Sequence, residues 1–118
     1  MTALDHHKLD VYHRALSLLE VCDRIVEKLP PGRSHVRGQI DRAASSVVAN
    51  IAEGAGEFRS KEKARFYRMA RRSATETAAW FDIIEMRKEA PEGALQSANQ
   101  HVEDVVAMLV KLIRSCER

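Results

Sequence analysis

Apolar side chains recur along this chain at intervals of three and four residues, the spacing that aligns them on one face of an α-helix. Four such stripes can be followed. The first, from about Asp5 to Lys28, has Val11, Tyr12, Ala15, Leu18, Leu19, Cys22 and Val26 on one side, continued by Leu29. The second, from Ser34 to about Glu53, runs through Val36, Ile40, Ala43, Val47 and Ile51. A third extends from Lys61 to about Lys88, with Ser60 as its expected N-cap. It buries Phe66, Tyr67, Ala70, Ala74, Thr77, Phe81 and Ile84. The fourth, from about Glu92 to Ser115, carries Leu95, Ala98, Val102, Val105, Leu109, Leu112, Ile113 and Cys116.

Three breaks separate the stripes. Leu29-Pro30-Pro31-Gly32 must end a helix, because each proline lacks an amide donor and the first disfavours helical geometry at Leu29. Glu53-Gly54-Ala55-Gly56 offers glycines for a left-handed C-cap. In Ala90-Pro91-Glu92-Gly93 the proline suits a first helical turn. Helices of about 20 to 27 residues are roughly 30 to 40 Å long, and short connections make neighbours antiparallel. The pattern predicts an all-α fold, an antiparallel up-down-up-down four-helix bundle, as a single domain over residues 1–118.

Composition adds limits. With 118 residues, 45% hydrophobic and 31% charged, the chain has the balance of one soluble domain. A folded monomer of this mass should expose roughly 6,500 Å². The net charge is only +2, so bulk charge does not mark a nucleic-acid binder. Cys22 and Cys116 match no metal or redox spacing. The opening Met1–Lys8 segment lacks the apolar core of a signal peptide, and the longest apolar run, Val105–Val110, is too short to span a bilayer. A cytoplasmic protein with reduced thiols and no membrane contact is expected.

The second helix departs from amphipathic patterning. Ten consecutive residues, Ala43 to Ala52, carry no charge. A surface helix of a solitary bundle should show charge on its outer face at every turn. Here the back of the helix is Gly38, Ser45, Ala49 and Ala52, small residues that admit a neighbouring helix. The expectation is a homo-oligomer with these four residues at the interface. The plainer alternative is an alanine-serine face left in water at little cost. Along the edge of the same helix, Gln39, Arg42, Ser46, Asn50 and Glu53 form a polar column. In an antiparallel hairpin with the third helix, Arg42 comes level with Glu76 and Ser46 with Ser73. Arg42 is therefore expected to pair with Glu76, while Asn50 and Glu53 hold the loop before Ser60 through its backbone.

Charge is concentrated on the third helix. Arg59 to Arg72 contains seven basic residues and one acid, Glu62. Lys61, Arg65, Arg68 and Arg72 share an arc of about 60° opposite the core face, the candidate nucleic-acid-binding residues. In a ring this stripe repeats in every subunit as a belt for phosphates, with sequence-independent, salt-sensitive binding. Acidic residues gather elsewhere, at Asp82, Glu85, Glu89 and Glu92. Aromatic residues are 5% of the chain, and Phe66, Phe81 and Trp80 read as core-facing, which argues against a base-stacking platform. The five histidines lack helical chelate spacing, so no metal is expected. No histidine partners a cysteine as a nucleophile would need. Gly54 and Gly56 follow a helix, the reverse of a phosphate loop. No catalytic residues and no cofactor are expected, and the chain does not read as an enzyme.

The segment from Gln39 to Gly56, with Arg42-Ala43-Ala44, Ser46 and Asn50-Ile51-Ala52-Glu53-Gly54, carries a more specific signal. Followed by Ser60-Lys61-Glu62 and by Phe66 to Glu76, it resembles the bacterial four-helix-bundle family encoded in intervening sequences of large-subunit ribosomal RNA genes. The resemblance covers roughly Leu9 to Ile113. It implies a cytosolic bundle assembling as a ring, a homopentamer, with no enzymatic activity. More distantly, the chain is similar to the accessory proteins of diversity-generating retroelements, basic pentameric barrels that bind nucleic acid and a reverse transcriptase. Arg72 stands before Ser73 where the family typically has glycine. Two functions fit these features: a scaffold or accessory factor for RNA or a nucleoprotein partner, and a purely structural protein-interaction oligomer without nucleic acid.

Overall fold

The computed structural model describes residues 4–118. A 3-10 turn at Asp5–Lys8 precedes four helices: α1 (Asp10–Glu27), α2 (Ser34–Ala55), α3 (Ser60–Arg87) and α4 (Ala94–Cys116). Neighbours in sequence pack as neighbours in space, and α1 closes the bundle against α4. No strand occurs among the described residues. The expected architecture is therefore present. Its exposed surface is 7367 Å², above the value expected for its mass because the bundle is a rod, with extents of 45 × 31 × 22 Å.

The predicted stripes form the core. Leu18, Ile40, Val47, Ile51, Phe81, Ile84, Val105 and Leu109 are fully buried and interleave with Ala15, Ala44, Ala70, Ala74 and Ala98, which let the helices approach closely. Val21, Ile25, Ala44 and Ala64 are buried too, although the predicted stripes omit these residues. Tyr12, Leu19, Val26, Phe66, Leu112 and Cys116 sit at the margin, half-buried. Thr77 is the buried polar residue of the core, and its hydroxyl donates to the Ser73 carbonyl at 2.9 Å.

Helix ends differ from expectation at Leu9, Ser60 and Pro91, and again at the end of α2. The first stripe is broken at Leu9, which is extended (φ −96°, ψ 123°); the break places the His6 ring 4.5 Å from that of Tyr12. Ser60 is the first helical residue rather than the cap, and Arg59 precedes it without a side-chain cap. Pro91 lies before α4, which begins at Ala94 after Gly93 in the left-handed region (φ 85°).

Two arginines fasten the end of the bundle opposite the α2–α3 turn. Arg37 donates to the carbonyls of Val26 (3.0 Å) and Leu29 (2.6 Å), satisfying the end of α1 where Pro30 and Pro31 cannot continue it. Arg33 grips Glu89 with Nε at 2.9 Å from both carboxylate oxygens, joining the α1–α2 and α3–α4 loops. That hydrogen bond and the guanidinium charge hold the Glu89 carboxyl below its usual range. A carboxyl with a depressed folded-state pKa stabilises above its unfolded pKa and loses that contribution as pH falls through the folded value. Glu89→Gln should therefore lower stability at neutral pH and remove part of the loss seen below about pH 4.5. Urea midpoints measured across an acid series check this, and parallel curves for both proteins would refute it.

Candidate nucleic-acid interface

The outer face of α3 carries the predicted stripe. Lys61, Arg65, Arg68 and Arg72 are all exposed, because the core side of the helix is held by Ala70, Ala74, Thr77 and Phe81. Their carboxylate environments differ. Arg65 Nε contacts Glu62 at 2.8 Å, and its guanidinium lies over the Phe66 ring, 4.5 Å from the centroid. Arg68 pairs with Glu117 at the end of α4. Lys61 and Arg72 have no carboxylate within ion-pair distance among the described residues. Both observed pairs are exposed, and such pairs contribute about 0 to 1 kcal/mol each. A phosphate can replace Glu62 or Glu117 at small cost.

The charge is polarised along the rod. With each helix divided at its midpoint, the end holding the α2–α3 turn carries twelve basic and six acidic residues, and the opposite end seven and eleven. A net charge of +2 thus conceals a basic end and an acidic end.

The α2–α3 turn (residues 56–59) is tightly fixed. Gly54 lies inside α2, where a Cβ would come 2.7 Å from Cε1 of the buried Tyr67 ring and 3.2 Å from Phe66 Cβ. Its role is close approach, not the left-handed cap that the sequence suggested, and Gly56 is likewise right-handed (φ −82°). The orphan carbonyls at the end of α2 are met by Lys63, whose ammonium donates to Ala55 at 2.9 Å and Gly54 at 3.3 Å. Burial raises the Tyr67 phenol above its ordinary range, with a smaller contribution from nearby Cys116.

On α2, Gly38 and Ala49 are exposed, while Ser45 and Ala52 are half-covered by their own surroundings. Ser45 donates to the Asp41 carbonyl at 2.5 Å, turning its hydroxyl back onto the helix. The outward side between Arg42 and Glu53 is thus a neutral, small-residue strip on the single chain.

The polar column resolves into a seam between α2 and α3. Ser73 Oγ donates to Ser46 Oγ at 3.0 Å, as register predicted, and Asn50 Nδ2 donates to the Ser46 carbonyl and hydroxyl at 2.9 and 3.0 Å. Other members go elsewhere. Arg42 donates to Gln39, one turn back on its own helix, and not to Glu76. Glu76 instead accepts from Trp80 Nε1 at 3.3 Å, an i,i+4 contact. Asn50 faces Ser46, and Glu53 is exposed without a side-chain hydrogen bond among those described, so neither holds the turn. Lys63 does, from the other helix. Local partners won because each long side chain finds one within its own turn, at less entropic cost than reaching across.

Chemistry beyond charge is sparse on this surface. Burial, helped by the nearby charges of Asp23 and Asp41, pushes the Cys22 thiol up to about 12, so it stays protonated at neutral pH. Both cysteines are free. No group of three or more His, Cys, Asp or Glu side chains is placed to hold a metal ion among the described residues. No helix there is long and apolar enough to cross a membrane.

Fold and surface together define an all-α bundle whose distinctive groups lie on the outer faces of α2 and α3. The family model of the 23S rRNA-intervening sequence proteins matches residues 7–111, and the chain belongs to that family. A solved structure with the same fold is a protein of unknown function from the S23 ribosomal protein family of Bacteroides thetaiotaomicron. It is 19% identical, with a TM-score of 0.80 over 87% of this chain and 97% of that one. No curated protein matches the chain at a significant level.

The glycine at the turn yields a direct test. Alanine is the better helix former by about 1 kcal/mol, but overpacking against a buried ring costs about 1 to 3 kcal/mol. Gly54→Ala should therefore destabilise the protein, by about 1 kcal/mol in chemical denaturation, and a rise in stability would show that Tyr67 moves aside freely.

Proposed function

We propose that the chain is a non-enzymatic, ring-forming bundle that acts in the cytoplasm as a scaffold or accessory factor for RNA, binding phosphates through the repeated outer face of α3. The observation that carries this reading is the four-residue basic stripe, exposed along the outer face of α3, with Lys61 and Arg72 outside any ion pair among the described residues. The neutral strip of Gly38, Ser45, Ala49 and Ala52 supports the assembly step, since it leaves room for a second helix and offers no charge to desolvate. The family resemblance supplies the expected number of five subunits. Encoding of the family within ribosomal RNA genes favours RNA as the polyanion.

The pairing of Arg65 with Glu62 and of Arg68 with Glu117 favours the second reading, a structural oligomer without nucleic acid, because half of the stripe is then already compensated. The two readings separate by salt. RNA affinity should fall steeply between low and moderate ionic strength, with a log–log slope of about 0.7 for every phosphate that the protein neutralises. Lys61→Gln and Arg72→Gln, which break no intramolecular pair, should each make the slope shallower by about that amount. Absence of RNA binding at low salt leaves the structural oligomer standing alone.

Assembly has its own test. Ala49→Glu places a charge in the centre of the neutral strip, and light scattering should show the mass dropping to that of a monomer while helicity by circular dichroism is retained. An unchanged mass would move the interface to another face.

A further inference from the structure

Every aromatic ring but one is engaged by its own chain. Phe81 and Tyr67 are buried, Phe66 lies beneath Arg65, Trp80 contacts Glu76 and His35, and Tyr12 stacks with His6. Phe58 is the exception, 100% exposed at the tip of the α2–α3 turn. Leaving a phenylalanine in water forgoes roughly 1.5 to 3 kcal/mol of burial. This residue is not on a loose loop. Gly56 N–H donates to the Ala52 carbonyl at 3.1 Å and Glu57 N–H to the Gly54 carbonyl at 3.2 Å, while Lys63 N–H donates to the Arg59 carbonyl at 2.9 Å. The ring therefore projects from a turn locked on both sides, and little further order has to be imposed when something binds it.

The surroundings of Phe58 fit one kind of occupant. Arg59 and Lys61 are exposed beside it, and the turn belongs to the end of the rod that carries twelve basic and six acidic residues. A cleft of about 500 Å³ opens alongside, lined by Lys8 and Lys63, by the carboxylates of Asp5 and Glu57, and by Leu9 and Tyr67 as well as by Phe58. An exposed apolar ring flanked by the exposed cations Arg59 and Lys61, at the basic end of the rod, matches a nucleobase, whose flat face is apolar and whose backbone is anionic.

We infer that Phe58 is a stacking platform for an unpaired base, so that the basic end of each subunit takes single-stranded or looped RNA in preference to duplex. This rests on the RNA-binding function proposed above and deepens it. In a duplex the base faces are covered by their neighbours, and only phosphates and groove edges remain to be met. An unpaired strand offers both its phosphates, to Arg59 and Lys61, and a free base face to Phe58.

The test compares a short mixed-sequence single-stranded RNA with a duplex of equal length, both at low salt, by fluorescence anisotropy. A stacked base contributes about 1 to 3 kcal/mol, so Phe58→Ala should weaken single-strand binding fivefold or more and leave duplex binding unchanged. Phe58→Trp should retain affinity, and its added indole emission should be quenched by the single strand alone. Equal affinities of wild type and Phe58→Ala for the single strand overturn the stacking role while leaving phosphate binding by α3 intact. Loss on both RNAs together, or a Phe58→Ala protein of altered mass in light scattering, makes Phe58 a folding or subunit contact and also overturns it. If wild type binds neither RNA, the proposed function falls and the stacking role with it.

Discussion

The close approach of α2 to α3 at Gly54 is the constraint on which the rest of the molecule rests. With no side chain there, the Tyr67 ring occupies the space that a Cβ would need, and the two helices can reverse through a turn of four residues. The same approach puts the last carbonyls of α2 within reach of Lys63, so a basic residue of the stripe-bearing helix closes the end of the preceding one. Further along, the hairpin brings Ser46 and Ser73 together and fixes the register. Everything presented to the outside follows from that register: a neutral strip on α2, a cationic strip on α3, and a projecting ring between them.

Core and surface answer to different parts of the chain. Small residues such as Ala44, Ala70 and Ala74 set the spacing of the helices, and the larger Leu18, Ile40, Phe81 and Leu109 fill the space between them. These layers demand only volume and period, and many sequences can meet that demand. It is consistent with a relative of 19% identity having the same fold. Under the proposed function the outer faces have less such tolerance, because a phosphate or a neighbouring subunit would meet particular groups there.

How much could be read in advance followed the same division. Helices, breaks, core stripes and the exposed basic face were all legible, since each is a periodic or compositional signal spread over many residues. The Ser46–Ser73 contact was legible because antiparallel register determines it. Pairings of flexible side chains were not: Arg42, Glu76 and Asn50 each have a partner one turn away, and sequence offers no means of ranking that against a partner on another helix. The Arg33–Glu89 clasp and the Arg37 cap were illegible for a related reason, as they join loops whose paths depend on the finished bundle. Gly54 was visible as a glycine, but close packing and a left-handed cap leave the same letter. Phe58 carried no signal because an isolated apolar residue in a turn is common, and only its complete exposure sets it apart.

The separation of basic and acidic residues between the two ends of the rod has a further physical consequence. A body with such a separation has a permanent electric moment along its long axis, and the field of a polyanion exerts a torque on it. Within the roughly 8 Å over which physiological salt leaves that field effective, rotation brings the turn-bearing end forward before surfaces touch. Collisions then start close to the orientation that the proposed RNA contact requires, and the net charge of +2, which governs the pull between distant molecules, says little about how well this one is aimed.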